Sequence, residues 1–528
     1  MNSESISQEY QLPYPMLLDR HGDVIVEEDE TYIREASLSL EKTLESFGVD
    51  GYVSNITVGP RITQFEVTLN PGVRVEKVTG IQHNIAMAMA AKSVRIQAPI
   101  PGKDAVGIEV PNRSASTVYL RPLLESKAWN KTKAAIPILL GRDVTSNVAI
   151  LDLAKAPHLL IGGSIGSGKN VCMNTLIMSL LFKFSPDELK LIMVDPKVVD
   201  LEMYRPIPHL ITPVINDPKK VPLALNWVTN EMERRYRVMA KVKAKNLAAF
   251  NSREADSQPV IDDNGGVIPP KMPIIIFIID ELADIMMTDA KIDVETSICR
   301  IAQKGRAAGI HLVIMTSALR KDVLTGLIKA NFPTKIAFRV GDKNDSRIIL
   351  DAVGAEKLLG NGDMLFNPPG AANLERIQGA YVSDPEIAKV IDEVAAQRPQ
   401  TFDDKYFACS EVEEEVEAAK GNYGGSNDDE SDDYDEVGDM MNSDIVRTVA
   451  DKYLQPDDPI IMERALEIII KDQIVSTSYL QRKLGISYNK AADIIDKLED
   501  RHIISAPVPG SPKRTILIDI DKLKPLHD

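Results

Sequence analysis

The clearest chemistry in this sequence lies in a glycine-rich stretch. Gly163, Ser164, Ile165, Gly166, Ser167, Gly168 and Lys169 make the pattern G-x4-G-K between an apolar run, HLLIGG, and a helical one, VCMNTLIMSLLFK. Glycines at these positions let consecutive backbone N–H groups turn inward around a phosphate, and the helix start adds the positive end of its dipole. Lys169 offers a point charge to the β- and γ-phosphates. The residue after such a lysine is ordinarily Ser or Thr, whose hydroxyl ligates Mg²⁺. Here it is Asn170, an amide one atom longer that cannot swing an acceptor in as a hydroxyl does. The loop predicts triphosphate binding, with metal positioning weakened at Asn170.

A second motif, IIIFIIDELAD, ends an apolar run in Asp280-Glu281. An aspartate at a strand's C-terminal edge beside the loop suits water-mediated Mg²⁺ binding, and the adjacent glutamate is the natural base for an attacking water. The next apolar run, IHLVIMT, ends at Thr316-Ser317, where a polar residue between the loop and Asp280 can sense the γ-phosphate. Ser317 is short for that task. Arg306, in RIAQKGRAAGIH, is a candidate to reach a neighbouring subunit's phosphates, its plainer alternative being a surface arginine. The expected cofactors are ATP and Mg²⁺, the metal held indirectly through Asn170 and Asp280.

These groups need strands that end side by side. HLLIGG, LKLIMVD, PIIIFIID, IHLVIMT and TKIAFRV are near-continuous apolar runs followed by helical patterns, as a parallel α/β sheet covered on both faces requires. This texture spans 139–398. Before it, 31–138 mixes the helical spacing of TYIREASLSLEKTLESF with strand-like TQFEVTLN, VRIQAP and VGIEVPN, an α+β pattern behind an extension over 1–30. After it, 399–442 reads as an acidic disordered linker, and 443–528 carries three helical patterns and a β-ribbon.

The chain has 528 residues, too many for one core, and a net charge of −16. From Asp403 to Asp439 fifteen acidic residues face two lysines, so this one segment holds most of the negative charge. Overall acidity therefore does not exclude a nucleic-acid partner for the folded parts. No apolar run approaches the roughly 20 residues of a membrane helix, and the first residues lack the pattern of a secretory signal. Cys172, Cys299 and Cys409 are too few and too scattered for a disulfide scaffold or a cysteine metal cluster.

From about Leu40 to Ser383 the sequence resembles the motor of the FtsK/SpoIIIE DNA translocases. The similar segments include AAKSVRIQAPIPGKDAVGIEVPN, HLLIGGSIGSGKN, LKLIMVDPK, EMERRYRVMAKV, IIDELAD, IAQKGRAAGIHLV and GDMLFNPPG. The resemblance implies an α/β fold, a RecA-like P-loop motor domain behind a small α+β domain, assembled as a hexameric ring around duplex DNA. It gives Lys169, Asp280 and Glu281 the ATPase roles argued above and makes Arg306 the trans-acting arginine. The last region resembles the family's winged helix. SYNKAADIIDKLEDRH would be its recognition helix, burying Tyr488, Ala491, Ile494, Ile495 and Leu498. Asn489, Lys490 and Lys497 would then face DNA, and Lys513-Arg514 would press the wing to its backbone.

Three departures stand out against the family pattern. Asn170 replaces Ser or Thr, Thr316-Ser317-Ala318-Leu319 replaces Thr-Gln-Arg-Pro, and Asp493 replaces an arginine of the recognition helix. The leading expectation is a cytoplasmic, ATP-dependent translocase of double-stranded DNA in chromosome segregation and cell division, recruited to the division site and without a membrane segment. It would act as a homo-hexamer or a ring mixed with a paralogue. The alternative is a divergent paralogue that binds ATP and DNA but hydrolyses poorly and serves as a ring scaffold or regulator. A protein-export or conjugation motor of the same superfamily is disfavoured by the winged helix.

Overall fold

Residues 10–21, 29–253, 260–261, 266–371, 373–400 and 402 are described in a computed structural model, all in one unit, Met1–Tyr406. In a second unit, Phe407–Asp528, it describes 462, 465–466, 468–470, 475–477, 480, 488–501, 503–505, 514 and 516–517. The expected acidic linker lies, from 403 onward, outside the described residues. Among those described, no helix is long and apolar enough to cross a membrane.

The first unit holds two sheets. Four antiparallel strands, β1 (Gly51–Val58), β2 (Ile62–Leu69), β3 (Arg95–Gln97) and β4 (Val106–Pro111), lie in the order β1-β2-β4-β3. The helix Glu30–Ser46 covers them. Asp29 caps it by accepting from the Thr31 N–H, and Ala36, Leu40 and Leu44 bury one stripe at four-residue spacing. Leu40 and Leu44 are fully enclosed, each contributing about 2 kcal/mol from area removed from water.

The second sheet has nine strands: β5 (Pro137–Asp143), β6 (Val148–Asp152), β7 (His158–Gly162), β8 (Leu189–Val194), β9 (Ile274–Ile279), β10 (Ile310–Thr316), β11 (Thr334–Phe338), β12 (Asp363–Asn367) and β13 (Glu375–Gly379). Their order is β6-β5-β13-β12-β11-β7-β10-β9-β8. The five expected runs, β7 to β11, are parallel to one another where they pair. Beyond these five, β12, β13, β5 and β6 add an antiparallel wing to the sheet. Side chains alternate between two cores, with Leu159 and Ile161 on one face and Leu160 on the other. Both faces being covered explains why these strands read as unbroken apolar runs.

A buried ionic cluster ties the two sheets together. Arg376 on β13 donates Nε to Asp363 Oδ1 at 2.9 Å and Nη2 to Asp363 Oδ2 at 2.7 Å, both on β12. Its Nη1 donates to Glu109 Oε2 on β4 at 2.7 Å, and Arg95 of β3 donates to the other oxygen, Oε1, at 2.6 Å.

In the second unit the helix Tyr488–Asp500 buries Ala491, Ile494, Ile495 and Leu498 of the expected stripe, the side chain of Tyr488 lying outside the described residues. They pack with Leu466, Ile469, Leu480 and Ile503. Antiparallel bridges Val475–Arg514 and Ile504–Ile516 form beside them.

Candidate nucleotide site

Strand β7 delivers its chain into the glycine loop, and the helix Lys169–Leu181 leaves it. Ten of that helix's 13 residues are buried, which anchors its first turn at the carboxyl ends of the parallel strands. Ser164 N–H donates to the Arg339 carbonyl at 2.9 Å, and the Ser167 hydroxyl closes the turn on the Ser164 carbonyl at 2.6 Å. Gly168 has φ +113°, and a Cβ there would stand 2.5 Å from the Gly362 nitrogen. Only glycine fits that approach. Ile165 at the tip is 87% exposed.

The loop opens on a cavity of about 870 Å³, of a size that suits a nucleotide. Gly166, Gly168, Lys169, Asn170, Asp280, Glu281 and Ser317 all line it. Lys169 is buried, with Nζ donating to the carbonyls of Gly163 at 2.7 Å and Ser164 at 3.1 Å. Burial lowers its pKa, against the pull of Glu281. The Asn170 side chain is exposed on the first turn and makes no hydrogen bond among the described residues.

Asp280 follows β9 and is 4% exposed. Its N–H donates to the Val194 carbonyl at 3.0 Å, and its Oδ1 is buried without a partner. Burial first, then the nearby Asp200 and Asp195, push its pKa up to about 7. Such a carboxylate favours a cation in front of it.

Glu281 is the most heavily bonded group in the site. Its Oε1 accepts from the Thr316 hydroxyl at 2.6 Å and from the Ser317 N–H at 3.1 Å. Its Oε2 accepts from the Ser317 N–H and hydroxyl and from Lys197 Nζ at 3.3 Å. Burial would raise its pKa, but the Ser317 and Thr316 bonds outweigh it and hold the carboxylate ionised. Thr316 and Ser317, expected to sense phosphate, are thus engaged with the candidate base.

Arg306 is exposed, with Nε donating to the Ala154 carbonyl at 3.1 Å, and it does not line the cavity. In the second unit, Lys497 is exposed on its helix, while the side chains of Asn489 and Lys490, and all of Lys513, lie outside the described residues. Arg514 is paired within the chain, with Glu499 and, at 3.7 Å, with Asp496.

Sequence reasoning passed over Lys197, Asp195 and Asp200 on the loop after β8. Asp195 fastens that loop, its Oδ2 accepting from the N–H groups of Val199, Asp200 and Leu201 at 2.9–3.1 Å. The signal available was the polar DPK run at the end of an apolar strand, as for Asp280. Arg61, Tyr119 and Tyr381, also in the cavity wall, come from segments without any local motif.

Most of the chain resembles known proteins. Residues 12–112 match the FtsK alpha domain, 119–321 the FtsK/SpoIIIE family and 456–519 the Ftsk gamma domain. The chain is 42% identical over 516 residues to the DNA translocase FtsK of Clostridium tetani, covering 98% of this chain and 63% of that protein. It is 40% identical over 520 residues to the DNA translocase SpoIIIE of Bacillus subtilis, covering 98% and 60%. The chain thus spans about three fifths of the length of these curated relatives. Among solved structures, the pCW3 conjugation coupling protein TcpA is 20% identical with a TM-score of 0.46, covering 68% of this chain and 99% of that one. The fold is α/β, a RecA-like P-loop domain behind an α+β domain and followed by a winged helix. With the alpha, motor and gamma regions in that order, the chain belongs to the FtsK/SpoIIIE family.

Proposed function

We propose that this chain is an ATP-hydrolysing motor that translocates along double-stranded DNA during chromosome segregation and cell division. The observation that carries it is one cavity lined by the phosphate loop with Lys169, by Asp280 with a free buried oxygen, and by Glu281 held ionised. The relatives named DNA translocase supply the substrate class.

ATP is the expected substrate. Loop amides around Gly166 and Gly168 would cradle its phosphates, and Lys169 would exchange the Gly163 and Ser164 carbonyls for phosphate oxygens. Mg²⁺ fits beside Asp280, whose buried Oδ1 has no partner, and Asn170 offers its exposed amide oxygen to the metal's water shell. When bound, the metal neutralises charge on the phosphates. Glu281 then accepts the proton of the attacking water, with Thr316 and Ser317 fixing its plane. Lys197 lies against Glu281 and is placed to move to an arriving γ-phosphate, raising the basicity of the carboxylate it leaves. Arg306, exposed and outside its own cavity, is free to serve a neighbouring subunit in a hexameric ring, homomeric or mixed with a paralogue. The second unit would contact duplex DNA through Asn489, Lys490, Lys497, Lys513 and Arg514, the last after leaving its acidic partners.

Measuring ATP turnover with and without linear duplex DNA tests this reading. DNA is expected to raise the rate severalfold; an unchanged rate in preparations that form rings overturns it.

A further inference from the structure

Arg61 lies just before β2, on the turn that joins the two longest strands of the small sheet, yet it lines the same cavity as Gly168, Lys169 and Asn170. Its backbone is fixed on three sides. The Asn112 N–H donates to the Arg61 carbonyl at 2.9 Å, the Ser116 N–H to the Pro60 carbonyl at 2.8 Å, and the Gly59 N–H to the Ile62 carbonyl at 2.8 Å. Pro60 stiffens the turn further. The guanidinium is therefore carried to the cavity by a rigid segment of a different layer of the fold.

What it meets there is incomplete. Nη1 donates to the Asn361 carbonyl at 3.3 Å, an acceptor already taken by Gln378 Nε2 at 3.0 Å. Nε is buried with no partner, and no carboxylate lies within ion-pair distance of Arg61 among the described residues. The anion that pulls on it, Asp363, is held on both oxygens by Arg376, whose third nitrogen takes Glu109 together with Arg95. The cluster thus sets three guanidiniums, Arg61, Arg95 and Arg376, against two carboxylates. Burial lowers the Arg61 pKa, Asp363 pulls it back, and Arg376 adds to the strain. A half-buried cation with one long hydrogen bond is unfavourable unless something anionic completes it.

The position says which part of a nucleotide that would be. Asn361, the residue Arg61 holds, precedes Gly362, and the Gly362 N–H donates to the Ser167 carbonyl at 2.9 Å. Gly362 also packs directly on Gly168. Arg61 therefore borders the loop where the helix begins, Asn170 and Val171 lining the same cavity. Glu281, Lys197 and Ser317 occupy the side where a γ-phosphate would be cleaved.

We propose that Arg61 is a nucleotide-contacting residue through which the α+β domain grips the α-phosphate, so that nucleotide occupancy is felt directly by that domain. This rests on the nucleotide reading of the cavity and adds a ligand to it from outside the motor sheet. The glycine loop reads the outer phosphates, Arg61 the innermost one. Both ADP and ATP would be held by it alike.

The test is calorimetric titration of the full chain, as wild type, Arg61→Ala and Arg61→Lys, with ADP and with a slowly hydrolysed ATP analogue. Thermal midpoints are recorded with and without each ligand. Arg61→Ala is expected to weaken both ligands tenfold or more, and Arg61→Lys by less. The midpoint without ligand should not fall, since an unpaired cation is removed, while the increment on adding ADP shrinks. Unchanged ADP affinity overturns the proposal. So does a loss confined to the ATP analogue, which would place Arg61 at the γ-phosphate. A lower midpoint without ligand and an intact ADP increment would make Arg61 structural and overturn it too. A wild-type chain that takes up neither nucleotide defeats the reading of the cavity itself, an outcome distinct from a wild type that binds and an Arg61→Ala variant that binds equally well.

Discussion

The Thr316 hydroxyl stands 2.6 Å from Oε1 of Glu281, so the ends of two adjacent parallel strands, β10 and β9, are joined through the candidate base. Thr316 is fully buried and its own oxygen accepts from the Ala318 N–H at 3.1 Å, which fixes the direction in which it donates. The carboxylate plane of Glu281 is thereby set by the register of the sheet rather than by a mobile side chain.

Substituting the base and its holder should separate chemistry from binding. Glu281→Gln keeps the volume and the bonds accepted by one oxygen but cannot take a proton, and turnover is expected to fall roughly 10²- to 10³-fold. Thr316→Val removes one orienting bond and should lower kcat by roughly tenfold. Nucleotide affinity in both should stay within about twofold of wild type. Steady-state ATPase assays paired with nucleotide titration decide it, and a Thr316→Val enzyme of normal kcat would show that the bond orients nothing.

Asn170 invites the reverse experiment. Its side chain is exposed and unbonded, so nothing in the surrounding packing demands an amide. Asn170→Ser places a hydroxyl where a metal can use it, and turnover should rise by roughly tenfold if ~1.4 kcal/mol of metal positioning returns. The Mg²⁺ concentration needed for half-maximal rate should fall in parallel. An unchanged rate and unchanged Mg²⁺ dependence would mean that the amide already serves the metal.

How much of this was legible beforehand follows from what each residue does locally. The loop at Gly163–Lys169, Asp280 and Glu281 stand at the ends of long apolar strands, so a short window of sequence holds both the chemistry and its scaffold. The parallel strands were visible for the same reason. Strands β12 and β13, DMLFN and ERIQG, were not, because each carries a charged residue, Asp363 or Arg376, that is buried only through its partner on the other strand. Polarity that looks like a loop locally is satisfied across the sheet. Arg61 illustrates the limit further: no local motif marks it, and its place in the cavity depends on Asn361, three hundred residues away.

That cross-sheet cluster should matter for stability. Arg376→Met leaves Asp363 buried without its cation and Glu109 with Arg95 alone, a loss expected at about 3–5 kcal/mol. Arg376→Lys keeps the charge but not the two-pronged geometry, and should recover only part of it. Denaturant unfolding of the full chain measures both, and proteolysis should open the α+β domain before the motor sheet in Arg376→Met. A loss below about 1 kcal/mol would show that the cluster holds nothing together.

Acid should weaken the first unit through its buried histidines. Burial, with a neighbouring charge in each case, lowers the pKa of His158 to about 3 and of His209 and His311 to about 4. His209 and His311 each hold a backbone carbonyl, of Phe184 at 3.0 Å and Pro157 at 2.9 Å, and His158 Nδ1 accepts from the Leu312 N–H at 3.0 Å. An unfolded histidine takes a proton near pH 6.5. Between about pH 6.5 and 4 the unfolded chain therefore binds more protons than the folded one, and stability must fall as pH falls, by up to about 1.4 kcal/mol per pH unit for each histidine. Above pH 7 these groups contribute no slope. His209→Gln removes one titrating group while leaving an amide to donate to Phe184, so its stability should decline less steeply through that window. Thermal midpoints taken at half-unit steps from pH 7.5 to 4.5 give the comparison; parallel curves for variant and wild type would show that His209 takes up its proton equally in the folded and unfolded states.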